Sequence, residues 1–156
     1  MSSQPSAVSA RSAPEHVDLG PLAGQVGYHL RLANAAAIKS FNDALGPLGL
    51  TPADYGALVV IERNPGLIQQ DLAAALGLQR ANLVRVLNQL ETRGLIRRGG
   101  ESRRENALFL TASGKKQMPA VHAAHAVHEQ RIAQALRREL KPLLACLRDL
   151  AALDAG

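Results

Sequence analysis

Residues 77–104 read GLQRANLVRVLNQLETRGLIRRGGESRR, and the fold turns on how this stretch is read. Its first half has the apolar spacing of a helix, with Leu83, Val86, Leu87 and Leu90 on one face. The opposite face carries Ala81, Arg85 and Asn88, flanked by Arg80, Asn82 and Val84. One side of that helix is suited to a core and the other to DNA. The stretch holds seven arginines against two glutamates, a balance of +5 that equals the net charge of the whole chain. None of its cations is lysine. Arginine presents a planar, always-charged fork that matches phosphate and guanine geometry. The second half, continuing to Leu110, reads as two short strands around a Gly-Gly turn tipped with arginines.

Upstream, Gln69 to Leu76 is a short helical run closed by Gly77. Two short helices joined at a glycine, the second one basic, form a helix-turn-helix, and the strand pair after it supplies a wing. Before it, Thr51 is placed to cap a helix whose first position is Pro52 and which runs to Arg63, with Asn64-Pro65-Gly66 as its break. Ile68 precedes the first motif helix and offers no side-chain cap.

The flanks are longer helices. One is predicted from Pro21 to Leu45, with Gly46 in the left-handed position after its end. Its stripe of Val26, Leu30, Ala33, Ala37, Phe41 and Leu45 exceeds what the compact motif needs, which points to a dimer interface. After Thr111, a second N-cap, the chain reads as helical to near its end. Pro119 should kink that helix or mark a late start, and a break is expected near residues 138–142. Leu140, Leu144 and Leu147 form either an intersubunit seam or packing within one subunit. Residues 1–16, rich in Ser, Ala and Pro, are expected to be a disordered tail. The predicted organisation is then an N-terminal dimerisation helix over 17–50, a winged helix-turn-helix over 51–111 and C-terminal dimerisation helices over 112–156. The fold class is mainly α with a small β wing.

The 156 residues suffice for one such domain with an appended element. Apolar residues make up 47% but aromatics only 3%, so the core must be aliphatic and helical. A pI near 10.0 is compatible with nucleic acid. The single cysteine, Cys146, rules out an intramolecular disulfide and fits a reducing compartment, hence the cytoplasm. No apolar run approaches a membrane span, and no membrane partner is expected. No Ser/His/Asp ordering, phosphate-cradling glycine loop or carboxylate pair is recognisable, so no catalytic residue and no cofactor is expected.

Three segments in this order resemble the MarR family of winged-helix transcription regulators: GLTPADYGALVVI (49–61), QQDLAAALGLQRANLVRVLNQLETRGLIRR (69–98) and SRRENALFLTASGKK (102–116). The resemblance implies a homodimer on a double-stranded, pseudo-palindromic operator, with recognition helices in successive major grooves and wings in flanking minor grooves. It places Arg80, Ala81, Asn82, Val84 and Arg85 at DNA, and sets the wing arginine at Arg103 with Arg104 beside it. Asn88 joins them from its position on the same face. The family often has Ser or Thr at 81, 82 and 84, so this chain should read a different operator. Ser102 stands where the family has an aspartate buttressing the wing arginine, and the wing is shorter than usual.

For the signal, the resemblance implies a small aromatic or carboxylate effector between the dimerisation helices and the DNA-binding lobe. Tyr28, His29 and Tyr55 are the polar-tipped groups available, with Arg31 or Arg85 as a cation for an acid. His122, His125 and His128, with Glu129, could present imidazoles to a metal, but steps of three drift across a helix. They are read as solvated or interface histidines, and no metal site is expected. Cys146, among leucines, is expected to be a buried, unreactive thiol. A constitutive or metal-responsive DNA-binding regulator, and a winged-helix protein–protein adaptor, are the alternatives.

Overall fold

The structure, a computed structural model, describes residues 16–99, 107–136 and 140–155. The chain divides into two compact units, Met1–Lys39 and Ser40–Gly156. A short 3-10 helix, Gly20–Gly24, precedes helix α1, Val26–Leu45. The first long helix therefore starts at Val26 and not at Pro21, which instead lies in that 3-10 turn. A second 3-10 turn, Gly46–Leu48, follows α1, and Gly49 rather than Gly46 takes the left-handed conformation, with φ 64°.

Helix α2, Pro52–Arg63, begins where the sequence places it. Thr51 accepts from the Asp54 backbone N–H, while the Asp54 carboxylate accepts from the Thr51 backbone N–H at 2.9 Å. This reciprocal box satisfies donors that a helix start leaves without partners. Strand β1, Leu67–Ile68, leads directly into α3, Gln69–Leu76, whose N-cap Ile68 makes no side-chain capping bond. Gly77 then turns the chain at φ 60°, a conformation that costs a residue with a Cβ. Helix α4, Arg80–Thr92, follows, then β2, Ile96–Arg98, and β3, Ala107–Leu110.

The sheet is antiparallel with order β1-β3-β2. Its registers pair Leu67 with Leu108 and Arg97 with Phe109. The two wing strands, β2 and β3, lie within the span the sequence predicts for them, and β1 is a third strand beyond that prediction. The strand pair is closed towards its turn by Gly99 N–H donating to the Ala107 carbonyl at 2.8 Å. Helix α5, Ala112–Leu136, is capped by Thr111, whose hydroxyl accepts from Gly114 N–H at 2.9 Å. It runs through Pro119, so that proline does not mark a late start. Helix α6, Leu140–Ala151, is followed by a 3-10 turn, Ala152–Ala155.

The core of the second unit is aliphatic, as the composition requires. Leu45, Leu58, Ile61, Leu72, Leu83, Leu87, Leu90 and Leu108 are all at most 1% exposed. They come from α1, α2, α3, α4 and β3, so each element of the motif delivers a leucine or isoleucine to one interior. Full burial of each such side chain contributes about 1.5–3 kcal/mol. Helix α6 contrasts with this: none of its residues is buried, and Leu144, Leu147 and Leu150 are exposed. Cys146 is exposed on the same helix, which corrects the expectation of a buried thiol.

Candidate nucleic-acid interface

Helix α4 is held by one face. Leu83, Leu87 and Leu90 lie in the core, at the spacing of one helix side. That anchoring turns Arg80, Ala81, Asn82, Val84, Arg85 and Asn88 outward, and all six are exposed. Val84 is a large apolar side chain left 37% in solvent on an otherwise polar face. Such a group gains by covering a thymine methyl.

The arginines divide into two groups. Arg85 donates from Nη2 to Asn82 Oδ1 at 2.6 Å, so two of the outward residues orient each other. Arg98, on β2, donates from Nη2 to Asn88 Oδ1 at 2.6 Å and pairs through Nη1 with Glu91 Oε2 at 3.2 Å. It bridges the wing base to α4, and Asn88, with its carbonyl oxygen committed, can offer DNA its amide N–H groups. Arg93 donates to the carbonyls of Leu48 and Gly49, each at 2.7 Å, and thereby ties the end of α4 to the turn before α2. Arg97 lies over the Phe109 ring at 4.5 Å and donates to the Gly99 carbonyl at 2.6 Å. Arg93, Arg97 and Arg98 thus each have a partner within the protein. The partners of Arg93 and Arg98, and the Phe109 ring under Arg97, lie far along the chain or on another element, which no spacing rule shows. Arg103 and Arg104, with Ser102, lie outside the described residues.

The expected effector residues fall in two places. In the first unit, Tyr28 and His29 meet edge to face at 5.4 Å, and the Arg31 guanidinium lies 5.4 Å from the Tyr28 ring centre. His29 Nε2 is hydrogen-bonded to the Ala23 carbonyl at 2.8 Å. In the second unit, Tyr55 stacks on His125, with ring centres 4.0 Å apart and planes 10° from parallel. Phe41 meets both Tyr55 and His128 edge to face. Burial raises the Tyr55 phenol above its ordinary range, and the carboxylates of Glu129 and Glu62 add to that. Burial lowers His125, against an opposing pull from Glu129; His128 and His122 lower it further. A cleft of about 260 Å³ lined by Ile61, Glu62, Pro65, Arg97, Phe109, Leu110 and Lys115 holds none of the expected effector residues.

The histidine row is not solvated throughout. His128 is 8% exposed, and His125 is half-buried. Met118, Val121, His125 and His128 follow steps of three, four and three, the spacing of a packed helix face, and this was the signal available in the sequence.

A two-helix unit with an outward, cation-bearing second helix, followed by a strand pair tied to it by arginine, defines a winged helix-turn-helix DNA-binding protein. Residues 48–105 match the MarR family profile. The chain is 38% identical over 122 residues to a transcriptional regulatory protein for the hcr operon of Thauera aromatica, covering 73% of this chain and 74% of that one. It is similar in structure to the transcriptional repressor CouR bound to p-coumaroyl-CoA: the TM-score is 0.79 and the identity 33%, over 86% of this chain and 97% of that one. CouR bound to a 23-mer DNA duplex gives a TM-score of 0.74 and 32% identity, over 86% and 98%. This chain belongs to the MarR family; it is a DNA-binding transcription regulator and not an enzyme. Among the described residues no single helix is long and apolar enough to cross a membrane.

Proposed function

We propose that the chain is a homodimeric, cytoplasmic repressor that holds a pseudo-palindromic operator and releases it on binding a small aromatic compound. The observation that carries the DNA half is the outward face of α4, where Arg85 and Asn82 are oriented by their mutual hydrogen bond. In the dimer the two α4 helices enter major grooves one DNA turn apart, about 34–36 Å. Arg80, Ala81, Asn82, Val84, Arg85 and Asn88 contact bases and phosphates, and Arg103 and Arg104 take the minor groove. The bare leucines of α6 support dimerisation, since an exposed apolar face of this kind marks an interaction surface. α1, α5 and α6 are assigned to the dimer interface, and the span 51–111 to DNA.

The effector half rests on the similarity to CouR, a structure of which holds p-coumaroyl-CoA. That ligand is aromatic but carries its carboxyl as a thioester, so the effector of this chain is sought among both free aromatic acids and their CoA thioesters. Tyr28, His29, Arg31 and Tyr55 are the residues assigned to it. A ligand of this kind releases DNA only through unequal affinity for the two arrangements of the dimer.

The test is fluorescence anisotropy on a duplex from the upstream intergenic region, with salt titrated first and p-coumarate and p-coumaroyl-CoA added next. Tight, salt-steep binding is expected. Arg85→Ala should cost about 1–3 kcal/mol in discrimination between operator and altered duplex. Binding that is weak and indifferent to sequence would refute the operator reading. Tight binding that no aromatic compound relieves would refute the effector reading and favour a constitutive regulator.

A further inference from the structure

The side chains of His125, His128 and Glu129 converge on one point of α5 where the DNA-binding reading gives them no task. His125 Nε2 and His128 Nε2 lie 3.7 and 4.0 Å from Glu129 Oε1, and the candidate ligand atoms of all three residues lie within 4.8 Å of one another. Two nitrogens and a carboxylate oxygen held at about 2.0–2.2 Å from a zinc-type ion would stand roughly 3.4 Å apart in a tetrahedral site. The nitrogen–oxygen separations of 3.7 and 4.0 Å exceed that by little, and the exposed Glu129 can close the difference; the widest separation, up to 4.8 Å, requires the half-buried His125 ring to shift as well.

The surroundings supply what a metal-binding imidazole needs. His128 is buried, and its Nδ1 is hydrogen-bonded to Ser40 Oγ at 3.1 Å, which commits one ring nitrogen and aims the other at Glu129. A hydrogen bond to the far nitrogen is the usual device that fixes the ring of a metal ligand. His125 is fixed differently, by the Tyr55 ring stacked on its face. His122 is engaged elsewhere, with Nε2 2.8 Å from Glu62 Oε2.

We propose that His125, His128 and Glu129 bind one divalent first-row transition ion of the zinc type, with one coordination position left to solvent. This departs from the sequence expectation of no metal site. Steps of three drift across a helix, but the drift is small between 125 and 128, and the adjacent Glu129 reaches back to both. Two imidazoles with one carboxylate are a donor set for zinc or iron(II), not for calcium or magnesium. Because Tyr55 lies on α2 and stacks on His125, the ion would brace α5 against α2. The competing account is a plain ion pair between an imidazolium and Glu129, and it predicts no metal binding.

The test is titration of the chelator-treated full-length protein with Zn²⁺, followed by equilibrium dialysis, and with Co²⁺, followed by its visible absorption. One equivalent per chain is expected, with the intense bands of four-coordinate cobalt. His125→Ala and Glu129→Gln should each weaken binding by at least tenfold, and Ser40→Ala by roughly 10–100-fold through the lost orientation of His128. His122→Ala should leave affinity within about twofold of the unaltered protein, as expected of a residue outside the ligand set. Glu129 is exposed and His125 half-buried, so both variants should fold, which circular dichroism verifies. Absence of saturable binding, or binding indifferent to His125→Ala and Glu129→Gln, would overturn the assignment. So would a loss on His122→Ala as large as that on His125→Ala.

Discussion

Adding a single methyl group at Gly114 should unseat α5 from the wing base. Gly114 is buried in the first turn of α5, and a Cβ built there would lie 2.0 Å from the Leu95 carbonyl oxygen and 3.0 Å from its carbon. Ordinary contact begins at 3.4 Å, so the helix must retreat by more than an ångström from backbone that cannot rotate away. The same carbonyl accepts from Thr111 N–H at 3.0 Å, and the Thr111 hydroxyl donates to the Gly94 carbonyl at 2.6 Å. Overpacking of this kind costs about 1–3 kcal/mol. Weakening two hydrogen bonds adds about 0.5–1.5 kcal/mol for each. Gly114→Ala should therefore cost roughly 2–6 kcal/mol, or about 1–5 kcal/mol net of a gain of about 1 kcal/mol from better helix propensity. At about 2–4 °C per kcal/mol for a chain of this size, a central value of ~3 kcal/mol lowers Tm by about 6–12 °C. Urea unfolding followed by circular dichroism, at fixed protein concentration, measures it. Gly27→Ala is the control: Gly27 lies in α1, no atom stands within 4 Å of its added Cβ, and a gain of about 0.4–1 kcal/mol is expected. A Gly114→Ala loss under about 0.5 kcal/mol, the range of neutral surface changes, would refute the steric reasoning.

Asp54→Ala removes the carboxylate that accepts from both the backbone N–H and the hydroxyl of Thr51, and should cost about 1–2 kcal/mol in the same assay. An unchanged denaturation midpoint would mean that the capping box contributes nothing. Arg98→Ala should cost under about 1 kcal/mol, because its pair with Glu91 is partly solvated. Its clearer signature is a shift of the Asn88 side-chain amide resonances, and a spectrum unaltered at Asn88 would show that the bridge from β2 to α4 is not populated.

The helical part of this fold was legible because it is written locally. Gly77 between two amphipathic runs, Thr51 ahead of Pro52, and Thr111 ahead of α5 each act within a few residues, and each stands where the sequence places it. Strand β1 was not legible: Leu67 and Ile68 are too few to show alternation, and their pairing depends on β3, far along the chain. The outward face of α4 could be read from its apolar stripe, but not the bonds from Arg98 to Asn88 or from Arg93 to the turn before α2. The stacking of Tyr55 on His125 joins α2 to α5, and only the packing of those helices brings it about. Cys146 shows the converse limit, for leucines at helical spacing mark an apolar face without saying whether the same chain covers it.

The sheet order β1-β3-β2 has a consequence for how the motif comes together. Leu67 pairs with Leu108, so the strand that leads into α3 finds its partner only after the whole helix-turn-helix and the first wing strand have been traversed. Closing a loop of about forty residues carries an entropy cost that must be met before the pairing repays it. The two helices can form on their own schedule, from contacts near in sequence, whereas β1 must wait for β3. During synthesis the reading unit would thus emerge with its leading strand unpaired, and the last step to register would be the zipping of Leu67 and Ile68 onto a wing made after them.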